Sequence, residues 1–116
     1  MPRVKRGAKG ARRRKAILKQ AKGYFGGRHR LLRTASEAVD KALAYAYVGR
    51  KLKKRDFRKL WQSRIGAAAK ENGTSFSRLI GNLKKKGVVL NRKVLSEIAV
   101  AHPKDFAAIA NLAKGA

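Results

Sequence analysis

Large apolar residues recur at helical spacing only from residue 57 onward. Phe57, Leu60, Trp61, Ile65 and Ala68 follow an i, i+3, i+4, i+8, i+11 stripe, as expected for a helix with one buried face. Phe76, Leu79, Ile80 and Leu83 repeat the spacing, then Val94, Leu95, Ile98 and Ala99, then Phe106, Ile109, Ala110 and Ala113. Stop and start signals separate these stripes. Asn72-Gly73 suits a left-handed helix end, Thr74 or Ser75 and then Asn91 are candidate N-caps, and Gly87 follows the cationic end Lys84-Lys85-Lys86, where positive charge suits the dipole. Pro103 fits the first turn of a last helix, and His102 before it reads as a turn residue. Three short amphipathic helices and the end of a longer one are thus expected to close a core of about 60 residues, a marginal size. Val88-Val89-Leu90 is at most a short extended link, with no strand alternation and no repeat of solenoid length.

Residues 1–56 lack such stripes. Met1 to Gly10 is an aperiodic basic strap. ARRRKAILKQAK, between Gly10 and Gly23, contains good helix formers and no breaker. Arg12, Lys15, Lys19 and Lys22 share one face of that helix. Ile17, Leu18 and Ala21 form a strip too narrow for a core and suited to packing on something else. Gly23, Gly26 and Gly27 permit positive φ angles. Thr34-Ala-Ser-Glu37 fits a capping box, and no proline follows up to Asn72. One helix of roughly 39 residues, about 58 Å long, is expected. The reading is all-α, with a basic extension over residues 1–58 and a small helical domain over residues 59–116.

Charge turns this outline toward function. The chain has 116 residues with 31 Lys and Arg against 6 Asp and Glu, a net charge of +25. Residues 1–60 carry 21 basic and 3 acidic side chains, residues 61–116 carry 10 and 3, and no acid precedes Glu37. Such a charge repels itself unless a polyanion supplies the counter-charge. The extension buries too little apolar surface to offset its own ordering entropy, so residues 1–33 are expected to order on their partner. No apolar run is long enough to span a membrane, and the basic N-terminus lacks the apolar core of a secretory signal. Cysteine is absent, which excludes disulfides and thiolate metal sites. The setting expected is the cytoplasm.

Catalytic chemistry finds few footholds. Glu37 and Asp40 read as dipole-stabilising acids near a helix start, while Asp56, Glu71, Glu97 and Asp105 are scattered among cations. Two histidines without cysteine make a zinc site improbable. Gly23-Tyr-Phe-Gly-Gly27 lacks the spacing and the Lys-Ser/Thr ending of a phosphate loop. Neither an enzyme, a cofactor nor a small-molecule substrate is expected.

The basic clusters are instead the candidate surface. Arg12-Arg13-Arg14, Arg28-His29-Arg30 with Arg33, and Arg50-Lys51 leading into Lys53-Lys54-Arg55 lie where acids and core residues are scarce. Phosphates would convert their mutual repulsion into attraction. A strap, a basic helix and a long basic rod suit threading between RNA helices better than fitting a major groove. Tyr24 is expected to stack on an unpaired base, although packing on Ile17 or Leu18 would also occupy it. For Phe25 the two readings stand equal. An architectural protein on double-stranded DNA is the alternative, and a membrane-active peptide is weaker because the basic helix lacks a broad apolar face.

Longer motifs sharpen the partner. Arg3-Val-Lys-Arg-Gly7, Lys22-Gly-Tyr24, Arg33, Ala44-Tyr-Ala-Tyr47, Arg55-Asp-Phe-Arg58, Leu60-Trp61, Arg64-Ile65, Glu71-Asn-Gly73, Ser75-Phe-Ser-Arg78 and Asn91-Arg-Lys93 occur in this order. The succession closely resembles the family of bacterial large-subunit ribosomal protein number twenty, from end to end. That resemblance implies direct binding to 23S ribosomal RNA, a role early in large-subunit assembly, and neighbouring large-subunit proteins as partners. It also implies a basic extension buried in RNA and an all-α C-terminal domain near the solvent side of the subunit. In some members that domain also binds the protein's own messenger RNA and represses translation. By position, the resemblance assigns RNA contact to Arg3, Lys5, Arg6, Arg12, Arg13, Arg14, Lys22, Tyr24, Arg28 and Arg30. On the rod it adds Arg50, Lys54, Arg55 and Arg58, and on the domain Arg64, Ser75, Ser77, Lys85 and Arg92. Lys15, Lys19, His29, Arg33 and Lys51 join them from the clusters themselves. Val48-Gly49 stands where the family commonly has a basic and an acidic residue, so one phosphate contact is expected to be lost there and the rod to bend. Gly66 and Gly81-Asn82 also depart from the usual pattern.

Overall fold

The periodic stripes become helices in the computed structural model, which describes residues 2–115. Met1, the first residue of the expected strap, and Ala116 lie outside the described residues. The helices are α1 (Lys9–Gln20), α2 (Leu32–Glu71), α3 (Phe76–Lys85), α4 (Arg92–Ala101) and α5 (Pro103–Lys114), with a 3-10 turn at Gly26–His29. No strand forms among the described residues, so the molecule is all-α as the spacing predicts. Contacts divide it into two compact units, Met1–Lys51 and Leu52–Ala116.

In the first unit, Ala21, Ala35 and Val39 are buried, with Ile17, Leu18 and Tyr24 packed against them. The narrow strip on α1 therefore packs on this chain's own α2, not on an outside partner. Ala21 and Ala35, both fully buried, are the centre of this cluster. The expected capping box does not form. Backbone bonds from Leu31 N–H to the Gly27 carbonyl and from Ala35 N–H to the Leu31 carbonyl run the 3-10 turn directly into α2. The helix starts at Leu32, and the Thr34 hydroxyl donates to the carbonyls of Gly27 (3.0 Å) and Leu31 (3.1 Å) rather than accepting from an N–H. Consequently no acid lies in the first turn of α2, and Glu37 and Asp40 fall beyond the reach of a helix-end dipole. The helix continues through Val48-Gly49 without interruption.

The second unit is built on Ile65 and Ala69 of α2, Leu79 and Leu83 of α3, Leu95 of α4, and Phe106, Ala110 and Ala113 of α5. Phe57, Leu60 and Trp61 stay outside this core, against expectation: Phe57 and Leu60 are exposed and Trp61 is half-buried. The covering helices contain only 10, 10 and 12 residues, about 15–18 Å each, and meet α2 only over its last turns. Phe57 and Trp61 pack on each other instead, with ring centroids 6.2 Å apart. Val94 is also exposed, whereas Ser96, outside the apolar stripe, is fully buried.

Local signals fix the joints. Gly73 takes φ +71°, and Thr74 N–H to Ala69 carbonyl (2.9 Å) with Gly73 N–H to Lys70 carbonyl (3.0 Å) closes α2 in a Schellman motif. The same pair of bonds, Val88 to Leu83 and Gly87 to Lys84, closes α3, and Val88 packs on the core beside it. Ser75 and Asn91 accept from the N–H groups of Arg78 (3.4 Å) and Val94 (2.9 Å) as N-caps. Lys86 donates to the Leu112 carbonyl and Lys114 to the Asn72 carbonyl. Two ammonium groups thus serve helix ends within the fold.

Candidate nucleic-acid interface

Each of the basic and hydroxyl residues expected to meet RNA is solvent-exposed. In the first unit these are Arg3, Lys5 and Arg6 on the strap, Arg12, Arg13, Arg14, Lys15 and Lys19 on α1, and Lys22, Arg28, His29 and Arg30 around the turn. Arg33, Arg50 and Lys51 lie on α2. Lys22 lies beyond the end of α1, so the four-residue face keeps only Arg12, Lys15 and Lys19. Arg33 occupies the first turn of α2, and Arg28 and His29 belong to the 3-10 turn. Arginine forks at exposed positions suit bidentate phosphate contact.

Tyr24 is the one half-buried member of the set. Its ring packs on the small cluster between α1 and α2, which leaves only part of it free to touch a partner. Its neighbour Phe25 is 94% exposed. His29 Nδ1 lies 2.8 Å from the Tyr24 carbonyl. A carbonyl only accepts, so Nδ1 carries a proton and donates, which ties the exposed imidazole to the backbone of the turn.

The second unit presents Lys54, Arg55 and Arg58 on α2, where residues 52–60 are exposed on every side, and Arg64 one turn further. Ser75 and Ser77 flank the start of α3, with Lys85 at its end and Arg92 opening α4, all exposed. Ser75 already uses one lone pair as the cap of α3.

Three lysine–aromatic pairs on α2 were not recognised as pairs in the sequence. Lys41 Nζ lies 5.1 Å from the Tyr45 ring centroid, Lys51 Nζ 4.9 Å from that of Tyr47, and Lys53 Nζ 5.8 Å from that of Phe57. Each pair is four residues apart on α2, a separation that a search for cation–aromatic pairs at i, i+4 would have found. A cavity of about 690 Å³ opens on the first unit, lined by Tyr24, Phe25, Arg28, Thr34, Glu37, Ala38, Lys41, Ala42 and Tyr45. Among the described residues no cluster of three or more His, Asp or Glu could hold a metal ion. No helix there is long and apolar enough to cross a membrane.

Exposed cations on helices and turns, set among few acids, make a strongly basic surface, and comparison with known proteins gives the chain a family. The family described as Ribosomal protein L20 matches residues 3–109. The chain is 59% identical over 114 residues to the large ribosomal subunit protein bL20 of Syntrophotalea carbinolica, covering 98% of this chain and 97% of that one. It is 59% identical over 114 residues to that of Thermoanaerobacter pseudethanolicus, covering 98% and 96%. To the bL20 of Sorangium cellulosum it is 56% identical over 116 residues, covering 100% and 98%. With its helices, its exposed cations and this end-to-end similarity, the chain belongs to the ribosomal protein L20 family.

Proposed function

We propose that the protein is a non-enzymatic constituent of the large ribosomal subunit in the cytoplasm, where it binds 23S ribosomal RNA directly and promotes early assembly. The observation that carries this reading is the exposure of every cationic residue in the candidate set, combined with a net charge of +25. Residues 1–58 thread between RNA helices and order there, while residues 59–116 dock as a small folded unit beside neighbouring subunit proteins. Arginines and lysines grip phosphates, release counterions and fix the relative position of the RNA helices they bridge. On the messenger, the surface of residues 59–116 binds the protein's own transcript and represses its translation.

Chemical footprinting of 23S RNA with and without the protein, at physiological salt, tests the main reading. Discrete protections that survive an excess of duplex DNA are expected. Loss of the footprint to duplex DNA would favour an architectural DNA-binding protein. A reporter carrying the protein's own leader tests repression, which is expected to deepen as the protein is supplied in excess.

A further inference from the structure

The cavity on the first unit contains a group that phosphate binding does not explain. Arg28 and Lys41 on its wall suit a polyanion, but Glu37 lines the same space and would repel one. Glu37 is one of only two acids in residues 1–51. Its two structural explanations are gone. It lies beyond the first turn of α2, and the Thr34 hydroxyl that would complete a capping box donates to the Gly27 and Leu31 carbonyls. The neighbouring cation at i+4, Lys41, sits over the Tyr45 ring. The other walls are aromatic: Phe25, 94% exposed, Tyr45, 64% exposed, and the free part of Tyr24. Its volume of about 690 Å³ lies within the range of small-ligand sites, roughly 300–1,000 Å³.

Resting on the reading of the protein as an RNA binder, we infer that this cavity receives one unstacked guanine and that Glu37 reads its edge. An ionised carboxylate only accepts hydrogen bonds. Guanine alone among the four bases places two donors side by side on its Watson–Crick edge, N1–H and the N2 amino group, matching two carboxylate oxygens. Cytosine and adenine set an acceptor beside their amino group, and uracil flanks its single N–H with two carbonyls. Each would bring an oxygen or nitrogen lone pair against the carboxylate. Phe25 and Tyr45 supply ring faces for stacking, which is indifferent to base identity. Arg28 and Lys41 take the attached phosphates, and Glu37 confers the choice.

The test uses the full-length protein and four single-stranded uridine-tract RNA 12-mers differing only in one central base, G, A, C or U, titrated at fixed salt. The wild type is expected to bind the G oligomer about tenfold more tightly than the others, the scale of one good two-donor base contact. Glu37→Gln should weaken the G oligomer and strengthen the other three slightly, because a negative charge has been removed. Phe25→Ala should weaken all four alike, by about tenfold. Both positions are exposed, and circular dichroism confirms that each variant folds. Equal affinities for the four oligomers in the wild type overturn the inference, as does a guanine preference that survives Glu37→Gln. Footprinting on 23S RNA with the same variants keeps the two readings apart. A preserved wild-type footprint without base preference would sink this inference alone, whereas no footprint at all would sink the RNA-binding reading.

Discussion

Ser96 shows what a single side chain does against the pattern around it. It lies on α4 next to Leu95, fully buried, and its hydroxyl has no hydrogen-bond partner among the described residues. A buried unsatisfied hydroxyl is unfavourable, and removing it without opening a large cavity should help. Ser96→Ala is therefore expected to stabilise the second unit by about 1 kcal/mol, seen as a higher urea midpoint with an unchanged slope. Tyr24 and Phe25 show the limit of reading residues from sequence. Both are aromatic and both sit among glycines, yet one folds onto Ala35 and Val39 while the other faces solvent. Their difference depends on residues more than ten positions away, which spacing in the turn itself does not reveal. The basic residues were easier to place, because lysine and arginine go to the surface unless paired.

At the scale of elements, boundaries set by local chemistry were legible and those set by reach were not. The Schellman ends at Gly73 and Gly87, the caps Ser75 and Asn91, and Pro103 opening α5 follow from the sequence. The start of α2 does not, because the helix begins two residues before Thr34, whose hydroxyl then donates back to the Gly27 and Leu31 carbonyls instead of accepting. The apolar stripe from Phe57 to Trp61 also misled, since its helix runs past the ends of the elements that could cover it. Two glycine substitutions should act with opposite signs. Gly73→Ala forces a side chain into a left-handed conformation, with its Cβ 3.4 Å from Lys114 Nζ, and is expected to cost about 1–2 kcal/mol. Gly49→Ala, in mid-helix with no atom within 4 Å of the new Cβ, should stabilise α2 by about 0.5–1 kcal/mol. Thermal unfolding followed by circular dichroism distinguishes the two directions.

For the whole molecule, charge outweighs core. The fold class was readable because four stripes share one period, and the partner class because +25 has no internal counterpart. The guanine cavity was not readable, since it joins residues 24 to 45 through a turn whose path the sequence leaves open. Affinity for RNA is expected to fall about a thousandfold or more between 50 and 200 mM salt if six to ten phosphates are neutralised. Filter binding across that range checks it, and a flat response would contradict a phosphate-dominated interface. In the free protein, amides of Leu79, Leu95 and Phe106 are expected to exchange slowly and those of residues 2–33 quickly. Uniform protection along the chain would show that the extension orders without RNA.

The bare stretch of α2 over residues 52–60 bears on how the protein without RNA resists cleavage. A helix turn with no tertiary cover opens readily, and this one offers Lys53, Lys54, Arg55, Arg58 and Lys59 to a trypsin-like protease. Within α2, limited trypsin digestion of the free protein is expected to cut there first, while bound RNA shields the same bonds. Resistance to cleavage in this stretch is thus expected to rise with the amount of RNA supplied, which the same digestion across an RNA titration measures.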